Sequence, residues 1–201
     1  MKTYVATHNQ DKLRELQEVF AGSPLELAPY DGFAEVEENG ASYAENARLK
    51  ADALYAQLGQ TGIADCAVIA DDSGLEVAAL GGRPGVLSAR YGGPQLSWAQ
   101  RRARLLGEMR DIPAEARAAK FCCAIHFIAP GGRRFTSYGE AAGRIAHTES
   151  GSFGFGYDPL FCYGSSSLTF ADMAKTEKNA LSHRHVAAVN LLSALRAAPV
   201  V

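Results

Sequence analysis

The sequence has no apolar run of 18 residues, no strong excess of either charge and only four cysteines, and each shortage excludes something. Without a long apolar run there is no candidate membrane span. The opening Met-Lys-Thr-Tyr-Val-Ala-Thr is too short and polar for a signal peptide, so a cytoplasmic protein without a membrane partner is expected. Twenty Lys/Arg against 22 Asp/Glu leave a formal charge of −2, whereas a duplex-binding protein carries a basic excess, so nucleic acid is not an expected partner. Cys66, Cys122, Cys123 and Cys162 form no C-x-x-C pair, which leaves buried free thiols rather than a zinc site or a disulfide framework. Also missing are G-x-x-x-x-G-K-[ST], G-x-S-x-G and H-E-x-x-H, so P-loop, serine-hydrolase and zincin chemistry has no motif to stand on.

What is present is an ordinary globular composition, 47% apolar over 201 residues, enough for one domain spanning 1–201. Tyr4–Ala6 reads as a short strand, followed by a helix with Leu13, Leu16 and Phe20 on one face and a stop at Gly22-Ser23-Pro24. The polar, acidic stretch 30–40 reads as a loop. Ser42-Tyr43-Ala44-Glu45 opens a second helix as a capping box, with Ala47, Ala51, Leu54 and Leu58 in its apolar stripe. Ala67–Ala70 is a continuous apolar run, the pattern of a strand buried on both faces, and it is expected to end at Asp71-Asp72-Ser73-Gly74. Ser97-Trp98-Ala99-Gln100 caps a basic helix through Met109. Phe121–Ala129 and Arg133–Tyr138 read as strands around Pro130-Gly131-Gly132, Leu160–Tyr163 as another strand, and the C-terminus as a helix carrying Val189, Leu192 and Leu195. Interleaved helices and strands predict an α/β fold (mixed α+β) with a mixed sheet, in a single compact unit with two lobes.

Four segments place polar groups where the pattern would otherwise be apolar. Thr7-His8-Asn9-Gln10-Asp11-Lys12 lies at a strand-to-helix junction, where backbone N–H groups, a hydroxyl and a Lys suit a phosphate and where Thr and Asn also serve as plain helix caps. Two adjacent carboxylates, Asp71 and Asp72, are costly at a buried strand unless a cation neutralises them, and Mg²⁺ is a natural partner because it takes oxygen ligands and phosphate together. The acidic run Glu35, Glu37, Glu38 supplies a further carboxylate or a solvated loop face. Phe153–Pro159 sets aromatics among glycines with Asp158 at its end, which allows close backbone approach, stacking on a base and acceptance from ring N–H groups. Lys178, His183 and Arg184 add donors; taken alone, the histidines of His183-Arg184-His185 read as solvent-facing or helix-capping. Together these parts describe a nucleoside triphosphate site.

Thr7–Lys12, Ser42–Ala47 with Lys50, Ala70–Leu75, Gly82–Gly85 with Ser88–Tyr91, Phe155–Pro159 and Glu177–Arg184 resemble, in order, the motifs of the inosine triphosphate pyrophosphatase family. The resemblance covers about Thr7 to Leu195. It implies an elongated mixed sheet flanked by helices, in two lobes with a central cleft, and a Mg²⁺-dependent, homodimeric enzyme that hydrolyses dITP, ITP or XTP to the monophosphate and pyrophosphate. By matched position it implies that Asp72 is the catalytic carboxylate and a Mg²⁺ contact, with Glu37 as the second metal-side acid. Lys12 and Lys50 would hold the triphosphate beside Thr7, Asn9 and Ser73, with Lys50 counted as catalytic. Phe155, Gly156, Tyr157, Asp158, Lys178, His183 and Arg184 would recognise the base. His8 departs from the pattern, since the family has Gly after the first Thr. Alternatives from other classes are a pyrophosphatase for pyrimidine or modified nucleotides, and a nucleotide-sensing module without catalysis.

Overall fold

The computed structural model describes residues 1–63 and 66–198. Among them, strands β1 (Lys2–Val5), β2 (Glu26–Pro29), β3 (Ala67–Val77), β4 (Ala118–Ile128), β5 (Arg134–Ile145) and β6 (Phe161–Tyr163) form one sheet in the order β2-β1-β3-β4-β5-β6. The sheet is mixed: β1 runs parallel to β2 and β3, and β5 pairs antiparallel with β6. Helices are α1 (Gln10–Val19), α2 (Tyr43–Gln60), α3 (Trp98–Glu108), α4 (Lys175–Leu181) and α5 (His183–Ala197). By contact density the chain divides into two units. The first comprises Met1–Asp72, Cys123–Gly139 and the stretch from Arg184 onward; the second comprises Ser73–Cys122 and Glu140–His183.

In the first unit, the alternation of strand side chains sorts β3 onto two cores. Ala67 and Ile69 join Leu13 and Leu16 of α1 and Ala187, Ala188 and Leu191 of α5. Val68 and Ala70 join Ala51, Leu54 and Leu58 of α2. This double burial is why 67–70 is apolar at every position. Leu16 and Leu54 are fully buried, and truncating either to Ala would cost about 2–5 kcal/mol. The α5 stripe differs from expectation: Val189 is 46% exposed, and the small Ala187 and Ala188 take the core-facing positions.

The second unit has its own core of Leu75, Val77, Leu105, Met109, Phe121, Phe161 and Phe170, among others. Here α3 begins with the expected capping box, Ser97 Oγ accepting from Gln100 N while the Gln100 side chain accepts from Ser97 N. At α2, Ser42 Oγ accepts from Glu45 N, but Glu45 reaches one residue further back, to Ala41 N at 2.6 Å. All four cysteines are buried and free. No helix among the described residues is long and apolar enough to cross a membrane.

Two boundaries differ from the sequence expectation. β3 does not end at Asp71 but continues through Asp72 and Ser73 to Val77. The strand tolerates carboxylates in its middle because cations meet them there, as described below. β2 and α4 are additional elements: β2 is four residues, Glu-Leu-Ala-Pro, too short to show a period, and α4 has no side-chain cap.

Candidate active site

Continuing the alternation of β3, Asp71 falls on the face of Ile69 and Asp72 on the face of Ala70. Asp71 meets α5 and α1: Arg184 Nε donates to its Oδ2 at 3.1 Å, and Arg184 Nη1 donates to Glu15 Oε2 at 3.2 Å. Asp72 meets α2: Asn46 Nδ2 donates to its Oδ2 at 3.0 Å, and Lys50 Nζ lies 3.9 Å from its Oδ1. Lys12 Nζ stands by both, 3.5 Å from Asp71 Oδ2 and 3.9 Å from Asp72 Oδ1. Lys50 Nζ is also 2.6 Å from Glu38 Oε1. The first unit therefore buries a network of four acids and three bases, in which every carboxylate has a cation within 4 Å.

The two aspartates are driven in opposite directions. Burial opposes ionisation of Asp71, but Lys12, Arg184 and Lys50 outweigh it and hold its carboxyl far below the usual range. Burial dominates at Asp72, with Glu38 adding to it, and raises its pKa against the pull of Lys12, Lys50 and the Asn46 hydrogen bond. At Lys50 burial works against the ammonium, yet Asp71, Asp72 and Glu38 keep its pKa above the ordinary lysine value. Adjacent carboxyls pushed apart in this way separate into a fixed charge and a proton acceptor.

The residues at the start of α1 first serve the helix. Asn9 Oδ1 accepts from Asp11 N (2.9 Å) and Lys12 N (3.1 Å), and Thr7 Oγ1 accepts from Asn9 N (3.1 Å). This cap aims Lys12 at the aspartates. Gln10 is exposed, and Asp11 pairs with Arg14 on the outer face of α1. His8 stacks on Phe33, ring centroids 5.1 Å apart and planes at 16°. Glu37 is exposed on the loop before α2, and the neighbouring Glu38 is the acid that reaches Lys50.

A separate constellation forms in the second unit. Asp158 Oδ2 accepts from Phe155 N at 2.8 Å and from Lys178 Nζ at 2.7 Å, and the Lys178 ammonium lies 5.0 Å from the Phe155 ring centroid. Both partners of the ion pair are about 95% buried. Tyr157 donates to Ser88 O at 3.1 Å, and Ser88 Oγ accepts from Leu75 N. His183 is buried, its ring stacked 4.8 Å from that of Phe121, where a solvent-facing or capping position was expected. Ser73 is half-buried on β3.

Of the residues expected at a triphosphate site, the structure brings Lys12, Lys50 and Asp72 together in the first unit. Phe155, Asp158 and Lys178 come together in the second. Arg184 meets Asp71 and Glu15 in the first unit. Glu15 and Asn46 are additional members, and Glu38 is the residue of the expected acidic run that reaches Lys50. A charged residue at position 15, between the apolar Leu13 and Leu16 of the α1 stripe, was the available signal for Glu15.

The chain is similar to known proteins over nearly its whole length. The profile of the Ham1 family matches residues 3–194. A dITP/XTP pyrophosphatase of Geobacter sulfurreducens is 44% identical over 183 residues, 90% of this chain and 89% of that one. One from Bacillus subtilis is 40% identical, covering 96% of each. Among solved structures, a Ham1 protein from Coxiella burnetii superposes with a TM-score of 0.84 at 34% identity over 98% of this chain and all of that one. A nucleoside-triphosphatase (dITP/XTP pyrophosphatase) from Mycobacterium abscessus gives 0.72 at 41% identity, over 96% and 99%. With the fold matched end to end and the family profile spanning nearly the whole chain, this protein belongs to the Ham1 family.

Proposed function

We propose that the protein is a hydrolase that cleaves non-standard purine nucleoside triphosphates, dITP, ITP and XTP, to the monophosphate and pyrophosphate. The observation that carries the proposal is the pair of adjacent aspartates on β3 with the ammonium groups of Lys12 and Lys50 within 4 Å of them. That grouping is what phosphoryl transfer to water needs: positive charge for phosphate oxygens and one carboxylate able to take a proton. Relatives at 40–44% identity over most of the chain carry the name dITP/XTP pyrophosphatase.

A divalent cation fits the donor chemistry. Asp72 uses Oδ2 for Asn46, its Oδ1 is 3.9 Å from either ammonium, and burial disfavours its charge in the absence of a cation. Mg²⁺ commonly binds through one or two carboxylates, waters and phosphates; here Asp72 and Glu37 would hold it, and it would supply charge neutralisation at the phosphates. Asp72 accepts the proton of the water that attacks the α-phosphorus. Lys12 and Lys50 bind and neutralise phosphoryl oxygens, beside the hydroxyls of Thr7 and Ser73, the N-terminal backbone of α1 from Asn9 to Lys12, and His8. Asp71, locked as an anion by Arg184, keeps Lys12 in place.

In the second unit, Phe155 stacks on the purine, with Gly156 and Tyr157 shaping the turn. Lys178 and His183 donate toward O6, and Asp158 accepts from ring N–H. Adenine reverses the donor and acceptor at these positions and would leave buried groups unpaired, a strong basis for rejection. Arg184 acts through Asp71 in this scheme. The proposal includes a cytoplasmic homodimer, as the family resemblance implies, to be checked by sedimentation. The deciding experiment is pyrophosphate release with Mg²⁺ across ITP, XTP, GTP, ATP, UTP and CTP. Preference for ITP and XTP is expected; preference for UTP, CTP or ATP, or binding without release, overturns it.

A further inference from the structure

Helix α3 carries Arg101, Arg102 and Arg104 within four residues, and each spends its charge differently. Arg101 donates to the carbonyls of Gly93 and Pro94, and Arg104 to Glu108. Arg102 does neither. Its Nη1 donates to the carbonyl of Gly156 at 3.0 Å, 54 residues away in sequence, and its Nε lies 3.0 Å from Glu149 Oε2. Gly156 is the centre of the turn that positions Phe155 and Asp158.

That turn needs holding. Gly154 and Gly156 both have positive φ, +72° and +65°, conformations with little intrinsic preference for one well. The Asp158 carboxylate ties down the Phe155 N–H, and the Tyr157 hydroxyl ties the far side to Ser88. The Gly156–Tyr157 peptide is left to α3: Arg102 takes its carbonyl, and Trp98, one turn earlier on the helix, packs edge-on against Tyr157 with centroids 5.5 Å apart. The Glu149 carboxylate beside the Arg102 guanidinium and the hydrogen bond from Nη1 together bias the direction of the Gly156 carbonyl.

We infer that Arg102, steered by Glu149, is a positioning residue for purine recognition: it sets the Gly156 peptide and thereby the angle of the Phe155 ring and the Asp158 carboxylate. It touches no phosphate and takes no part in the chemical step. The inference rests on the proposed base-recognition role of this turn.

Arg102→Met keeps the apolar stem and removes the donors. It is expected to raise KM for ITP about tenfold, as for loss of a charged hydrogen bond, with kcat within about twofold. The kcat/KM ratio of ITP to ATP should narrow, and Arg102→Lys should recover part of both. An unchanged KM and ratio overturns the inference, as does a fall in kcat that tracks a fall in Tm. Should Arg102→Met not fold, the exposed Glu149→Gln decides: a KM increase of about threefold at unchanged Tm supports the inference, and an unchanged KM overturns it. Lys178→Met separates the inference from the reading beneath it. If Lys178→Met retains the wild-type purine preference, the base-recognition role itself fails; if it loses that preference while Arg102→Met changes nothing, only the positioning role falls.

Discussion

Asp71 and Asp72 are consecutive on one strand, yet their carboxylates answer to different helices: Asp71 to Arg184 of α5, Asp72 to Asn46 of α2. The separation follows from the strand pleat, and Lys12 Nζ lies within 4 Å of both.

Asp72→Asn preserves shape and the contact to Asn46 while removing the proton acceptor. Turnover of ITP should fall by roughly 10²–10⁴-fold, the usual contribution of a general base. Thermal melts should show the variant as stable as wild type or more so, because a carboxylate whose burial disfavours charge has been neutralised. Activity near wild type removes Asp72 from the mechanism.

Arg184→Met strands Asp71 and Glu15 without their shared counter-ion. Breaking a buried pair costs about 3–5 kcal/mol, read as a lower denaturation midpoint. The surviving activity should drop by the same factor for ITP and ATP, because their triphosphates are identical. A narrowing of the ITP-to-ATP ratio instead makes Arg184 a direct reader of the base.

Lys12→Ala and Lys50→Ala should each weaken use of the triphosphate far more than binding of free inosine, which lacks the oxygens they address. Calorimetric titration with inosine and steady-state kinetics with ITP separate the two. Equal losses in both would mark the lysines as supports of the fold.

His126 on β4 gives the stability a pH dependence. It is buried, its Nδ1 is 2.8 Å from Thr136 Oγ1, and its Nε2 has no hydrogen-bond partner among the described residues. Burial lowers its pKa below 6.5; Asp52 on α2 opposes this, and Arg134 on β5 with Arg48 on α2 reinforces it. As pH falls through 6.5 the unfolded chain takes up a proton that the folded chain refuses, so stability is lost downward from there until the folded pKa is passed. His126→Gln should flatten Tm against pH between roughly 7 and 5; a slope equal to wild type assigns the loss to other groups.

Local signals carried much of the fold. The caps at Ser42 and Ser97, the four-residue apolar run of β3 and the Pro-Gly-Gly turn between β4 and β5 are each written within a few residues. The continuation of β3 through its carboxylates was not legible, because the compensating charges come from Lys12, Lys50 and from Arg184, which is 113 residues from Asp71. For the same reason, Arg184 could be identified as important but not placed: nothing near it in sequence names Glu15, 169 residues away. Val189 fits an apolar stripe by residue type, and only the neighbouring strand decides that alanines face inward instead.

The lengths of the strands fall off sharply toward both margins of the sheet. The interior strands β3, β4 and β5 have 11, 11 and 12 residues, whereas the outermost β2 and β6 have four and three. β2 closes on Pro29, which has no N–H to offer, and the far side of β6 is already met by a bridge from Thr169 to Cys162. An open sheet margin is a template on which a second chain can add a strand, and short, proline-ended or covered margins are how proteins deny it. The long apolar stretch of β4 from Phe121 to Ile128 is thus kept two strands from one margin and three from the other, away from the backbone a second chain would meet first.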